Sequence, residues 1–206
     1  MAQASAQPIT FDQFLEWYPQ TGMCYELHNG TIITMNPPPG KHELITGFMC
    51  RSVLIEASRL KLPYLIPKTA FIKPPLANSA YLPDVLLLNL GNLVNEPLWE
   101  KASTVSQGES VPLVIEVVSN NWRVDYLKKC ADYEEMRIPE YWVIDYAALG
   151  GVKFIGNPKQ PTVSIYQLIG DEYGVEQFRG NDKIVSPIFP GLNLTAEQIF
   201  KADVID

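Results

Sequence analysis

The sequence predicts a mixed α/β fold around a mixed sheet, and three observations carry that reading. Two segments, Val111–Val118 and Tyr141–Asp145, are almost wholly apolar, as strands buried on both faces are. Between them, Asn121–Met136 has a helical pattern, and strand, helix, strand within about 35 residues is a βαβ unit. After Gly150 the texture changes to short alternating segments, the pattern of antiparallel strands. At 206 residues the chain is read as one domain spanning 1–206.

The elements follow in chain order. Thr10 with Gln13 is a capping box opening a short helix through Phe11, Phe14, Leu15 and Tyr18. Tyr25–Leu27 and Thr31–Met35 flank His28-Asn29-Gly30, and Asn-Gly is the strongest short hairpin signal. Pro37-Pro38-Pro39-Gly40 stops the second strand, because proline has no N–H to give a ladder. Lys41 to about Leu60 is helical by the spacing of Leu44, Ile45, Phe48, Met49 and Ile55. Strands are expected at Tyr64–Ile66, Thr69–Ile72 and Val85–Leu88, and Asn89–Ser110 reads as loop with a turn of helix. The antiparallel extension comprises Val152–Phe154, Thr162–Leu168 and Gly174–Phe178, with a turn at Gly170-Asp171. Thr195 with Gln198 caps a last helix ending near Phe200.

Composition narrows the function classes. Apolar residues make up 47% and charged residues 19%, which suits a packed core. No apolar run approaches the ~20 residues of a membrane helix. Met1–Thr10 has neither a basic start nor an apolar stretch, so the expectation is a cytoplasmic protein without membrane association. The sequon Asn193-Leu194-Thr195 is discounted on that ground. Cys24, Cys50 and Cys130 have no CxxC spacing and are read as reduced thiols, Cys130 as a small core residue. A net charge of −7 argues against coating nucleic acid by bulk electrostatics, but leaves room for a local groove. Residues 41–73 carry six basic side chains, Lys41, Arg51, Arg59, Lys61, Lys68 and Lys73, against Glu43 and Glu56. That excess is compatible with phosphate contacts, and equally with scattered solubilising charge. Trp142 is read as core, and Trp122 as packing rather than base stacking.

The informative anomalies are acidic residues inside or at the edge of apolar strands. Glu116 interrupts Val111–Val118, and Asp84 stands immediately before Val85-Leu86-Leu87-Leu88. Burying a carboxylate is costly unless it is paired or bound to a cation. Two carboxylates from neighbouring strands are hard oxygen ligands suited to Mg²⁺; the alternative is that each caps a turn or pairs with an arginine. Asp125, Lys129 and Tyr133, spaced i, i+4, i+8, share one helical face opposite Val124, Leu127 and Ala131. That face either reaches the carboxylates, where the lysine stabilises transition-state charge, or is an ordinary solvated Asp–Lys face.

These residues resemble a known family. Pro83-Asp84-Val85, Ile115-Glu116-Val117-Val118-Ser119, then Asp125, Lys129 and Tyr133, then Pro139-Glu140-Tyr141-Trp142-Val143-Ile144-Asp145 are similar, in order and spacing, to the Uma2 family. The likeness extends upstream through Tyr25-Glu26-Leu27, Gly30 and His42-Glu43, and downstream through most of the C-terminal strands. Uma2 proteins are endonucleases common in cyanobacteria, and the resemblance implies a restriction-endonuclease-like PD-(D/E)XK fold. It implies Asp84 and Glu116 as paired metal ligands, the Val117 carbonyl as a further ligand, and Mg²⁺, with Mn²⁺ as the substitute, as the cofactor. The motif lysine would fall at Val118, and Lys129 matches the family position that supplies it from the following helix instead. Glu26 and His42 fall at matching N-terminal positions, as a distal ligand or proton carrier; His42 could equally cap its helix.

The resulting expectation is a metal-dependent endonuclease with Asp84, Glu116 and Lys129 as catalytic residues and nucleic acid as partner. DNA is ranked ahead of RNA, although no residue distinguishes the sugar. The alternative is a catalytically inactive nuclease-like scaffold for nucleic-acid binding or protein interaction. Apolar sheet edges are compatible with a homodimer.

Overall fold

Burial on both faces is what the apolar strands require, and the computed structural model, which describes residues 7–19, 21–76 and 78–202, provides it with a sheet between two helical layers. Most of the stretch Met1–Thr10, on which the cytoplasmic expectation rests, lies outside those residues. Helix α1 (Phe11–Trp17) starts at the Thr10–Gln13 capping box. Strands β1 (Tyr25–His28) and β2 (Thr31–Thr34) form the expected hairpin, with Asn29 and Gly30 both at positive φ, 50° and 79°. Helix α2 (Gly40–Arg59) follows the proline run. Strands β3 (Tyr64–Leu65), β4 (Phe71–Ile72) and β5 (Val85–Asn89) come next.

The segment read as loop, Asn89–Ser110, holds more structure than expected. It forms helix α3 (Trp99–Ala102) and strand β6 (Thr104–Val105), which pairs in parallel with β4. Buried Glu96 fixes it by accepting the Ser106 and Gln107 N–H groups at 2.9 and 3.1 Å. Such a side-chain anchor leaves no periodic trace in the sequence.

Strand β7 (Leu113–Val117) is parallel to β8 (Glu140–Asp145), and the βαβ unit is closed by a π-helical turn (Val124–Lys129) running into helix α4 (Cys130–Glu135). The expected strand at Val152–Phe154 is instead a helical turn, α5 (Val152–Ile155). Asp145, at the end of β8, accepts the Leu149 and Gly150 N–H groups at 2.9 and 2.7 Å and turns the chain back. Phe154 then stacks on Tyr126 with centroids 4.6 Å apart. Strands β9 (Thr162–Ile169) and β10 (Glu172–Phe178) pair antiparallel, and α6 (Ala196–Lys201) opens on the Thr195–Gln198 capping box.

The main sheet has the order β10-β9-β8-β7-β5-β3, antiparallel except for β7 with β8. Side chains alternate along β7. Leu113, Ile115 and Val117 pack with Ile45, Met49 and Val53 of α2 and Ile199 of α6. Val114 and Val118 face the other layer, with Tyr126, Tyr133 and Met136. Glu116 shares that second face by the period of two. Trp142 is core, as expected, and Trp122 packs against Tyr126 and Phe154. All three cysteines are free thiols, with Cys130 packed half-buried against the core. No helix among the described residues is long and apolar enough to cross a membrane.

Candidate active site

The site begins where the β5–β7 ladder stops, with Val85 opposite Ile115. One step further on, the Asp84 carboxylate replaces a backbone acceptor and takes the Val117 N–H at 2.7 Å. Glu116, 3% exposed, stands on the neighbouring strand. Its Oε1 accepts the Lys129 ammonium at 2.9 Å and the Tyr133 hydroxyl at 3.2 Å. Val118, where the motif lysine would fall, is a buried core residue, and the ammonium comes from the crossover helix instead.

The helix explains how. Asp125, Lys129 and Tyr133 do share a face, and it is the buried one; Leu127 is 49% exposed and Ala131 is exposed. The expected apolar inner face of Val124, Leu127 and Ala131 is therefore corrected to Tyr126, Cys130 and Tyr133, with Asp125 and Lys129 beside them. A wider π turn moves successive side chains off the α-helical wheel, which is why the wheel placed Leu127 inward.

Lys129 Nζ is surrounded by three carboxylates: Glu116 at 2.9 Å, Glu26 at 3.2 Å and Asp125 at 3.9 Å. It also lies 5.6 Å from the centroid of the Tyr81 ring. Burial alone would drive Lys129 neutral, but Glu116, Glu26 and Asp125 raise its pKa well above the usual value. The carboxylates diverge. Burial opposes ionisation of Glu26, yet Lys129, His28 and the Leu82 N–H hold it down at about 2. Burial raises Glu116 instead; Asp84, Asp125 and Glu26 add repulsion that Lys129 only partly offsets. Asp125 is pushed from 3.8 to about 7, chiefly by burial.

Glu26 has both oxygens engaged, Oε1 by the Leu82 N–H at 2.9 Å and by Lys129, Oε2 by His28 at 2.7 Å. It thereby ties the Lys129 ammonium to β1. His42 is not a helix cap: α2 has Pro39 at its N-cap and no side-chain capping bond. Its Nε2 lies 2.9 Å from the Val117 carbonyl and 3.3 Å from Asp84, and these contacts raise the imidazole's pKa against the effect of burial. His28 and Tyr81 are not among the site residues read from the sequence, although His28 belongs to the quoted turn His28-Asn29-Gly30 and Tyr81 lies two residues before Pro83-Asp84-Val85.

Asp84 Oδ1 and Glu116 Oε2 accept no hydrogen bond from the described residues. Two carboxylates and a backbone carbonyl suit Mg²⁺, which keeps several waters and needs only one or two protein carboxylates. No group of three or more His, Cys, Asp or Glu is gathered for a metal among the described residues. The acidic side chains converge on Lys129 instead. Glu26, His42, Asp84, Glu116, Val117, Asp125 and Lys129 line a cleft of about 1030 Å³, with Tyr81 and Tyr133 packed behind it. Of the six basic residues at 41–73, only Lys68 lines it; Lys41 binds the Lys201 carbonyl and Arg59 binds Glu56.

Asp125 sets one pH dependence. An acid with a raised folded pKa binds more protons folded than unfolded, so its contribution to stability falls as pH rises from 3.8 to about 7 and is flat above. Asp125→Asn is expected to remove that slope and to gain roughly 1–2 kcal/mol on the parent at pH 8 relative to pH 4. Urea unfolding at both pH values checks it; an unchanged difference between the two proteins would refute the assignment.

The sequence profile of Uma2, described as "Putative restriction endonuclease", matches residues 11–197. Among solved structures, a protein from Anabaena variabilis ATCC 29413, described as "a putative nuclease belonging to DUF820", superposes with a TM-score of 0.70 at 22% identity, over 95% of this chain and 99% of that one. At that identity the likeness establishes the shared fold. No curated protein matches the chain.

Proposed function

The chain belongs to the Uma2 family, and on that premise we propose that it is a nuclease hydrolysing phosphodiester bonds, DNA before RNA, with Mg²⁺ or Mn²⁺ held by Asp84, Glu116 and the Val117 carbonyl. The observation that carries this reading is the Lys129 ammonium delivered to buried Glu116 at 2.9 Å, on the strand next to Asp84. A cation bound there would supply Lewis-acid charge to the attacking water and the phosphate. Asp84 is oriented for its part by the Val117 N–H, and Glu116 by Lys129 and Tyr133. Lys129 places a fixed positive charge where the transition state gains negative charge. Glu26 keeps that charge in place, because it stays ionised and ties the ammonium to β1. His42 holds the Val117 carbonyl and Asp84 in one arrangement.

Cleavage of supercoiled, linear and branched DNA in Mg²⁺ or Mn²⁺ tests the reading. Wild type is expected to cut at least one of them, to stop on addition of EDTA, and to lose about 10²-fold or more in rate in Asp84→Asn. Cutting that survives both EDTA and the substitution would reject the proposed site.

A second reading has its own support. Val118 fills the motif-lysine position, and the Glu116–Lys129 pair is satisfied internally, so the same residues suit a non-catalytic nuclease-like scaffold. A folded protein that binds DNA without a cation and cuts nothing with one would decide for it.

A further inference from the structure

We infer that the cleft takes an unpaired polynucleotide strand rather than an intact duplex, an inference that rests on the nuclease reading above. Depth comes first. Glu116 and Lys129 are each 3% exposed, so a phosphodiester must descend into the cleft to meet them. A single strand can bring its backbone in alone. In a duplex the second strand is carried along, and a cleft of about 1030 Å³ is on the scale of a few nucleotides, not of a helical turn.

Charge points the same way. Glu26, Glu43, Asp84, Glu116 and Asp125 line the cleft against two lysines, Lys68 and Lys129, and Lys129 is already paired. Duplex binding draws most of its affinity from many lysines and arginines tracking both phosphate chains. That set is not among the residues lining the cleft. One strand presents half the phosphates, and so less repulsion.

The remaining lining supplies the affinity that charge does not. Met23, Ile33, Met35 and the Pro37–Pro39 run form an apolar surface in the same cleft, and Met23 is 48% exposed. Thioethers make favourable contacts with aromatic rings. The faces of unpaired bases are free for such contacts, whereas in a duplex they are covered by stacking neighbours. Contacts of this kind tolerate any base, so little sequence preference is expected.

Fluorescence anisotropy on the full chain tests the inference, with Ca²⁺ replacing Mg²⁺ to hold substrates uncut. The probes are a mixed-sequence DNA strand of about 12 nucleotides, its duplex, and an RNA strand of the same sequence. Either strand is expected to bind about tenfold or more tightly than the duplex, and the DNA and RNA arms distinguish the sugar. Met23→Ala/Met35→Ala is expected to weaken strand binding about tenfold and leave the duplex unchanged. Duplex binding as tight as strand binding, no binding to any probe, or a double variant with unaltered strand affinity would overturn it. Strand-selective binding with no cleavage in Mg²⁺ or Mn²⁺ would support this inference while rejecting the nuclease reading. Duplex cleavage with the duplex bound more tightly would do the reverse.

Discussion

Lys129→Met is expected to lose about 3–5 kcal/mol of stability at pH 8, the cost of leaving buried carboxylates without their counter-charge. Lys129 is 3% exposed and is the one side-chain cation within 4 Å of Glu116 and Asp125 among the described residues; methionine fills the space and supplies no charge. Glu26 keeps His28 and the Leu82 N–H, so the damage centres on Glu116 and Asp125. The deficit has a signed pH dependence. Both carboxyls already sit above their ordinary pKa, and without Lys129 they rise further, so protonation as pH falls from 8 towards 5 relieves the repulsion and the gap to wild type narrows. Adding Glu116→Gln to Lys129→Met is expected to recover part of the loss, because one buried charge disappears. Urea unfolding of wild type, Lys129→Met, Glu116→Gln and the double variant at pH 8 and pH 5 measures all of this. Lys129→Met within about 1 kcal/mol of wild type would mean that the cluster is far better hydrated than its burial indicates.

Glu116→Gln should separate function from stability. The amide keeps the shape and can still accept from Lys129 and Tyr133, so the fold retains its contacts. Burial and the neighbouring Asp84, Asp125 and Glu26 all oppose the Glu116 charge, so the melting temperature is expected to stay level or rise. Cation binding should fall at least about tenfold, because a hard divalent ion loses one of two carboxylates. Calorimetric titration with Mg²⁺ and Mn²⁺, in the presence of uncleaved DNA to supply phosphate oxygens, reads the affinity directly. Equal binding in variant and wild type would move the cation away from Glu116. Loss of binding together with a large loss of stability would show that Glu116 is chiefly a structural partner of Lys129.

The sequence by itself determined the frame. Alternation and apolar runs marked both parallel strands, because burial on two faces leaves no polar position to disguise them. Turn and cap chemistry is local, so Thr10 with Gln13, Asn29-Gly30 and Thr195 with Gln198 were legible at the residues themselves. Glu116 and Asp84 stood out because a carboxylate against an apolar strand demands a reason. Elsewhere local signals ran out. Val152–Phe154 alternates like a strand, but Asp145 captures the preceding N–H groups and the chain turns into a helix.

Tertiary structure alone decided what surrounds Lys129. Its i, i+4, i+8 spacing fits a solvated face as well as a buried one, and the π turn that sets Leu127 outward has no signature in hydrophobic period. Glu26 lies on a hairpin far away in the chain, and nothing local predicts that it ends 3.2 Å from that lysine. Nor could the sequence say that the basic residues at 41–73 would scatter, leaving one in the cleft. The reason is physical: backbone preference and hydrophobic period act between near neighbours, whereas the ionisation and role of a buried charge are set by whichever distant groups the fold brings within a few ångströms.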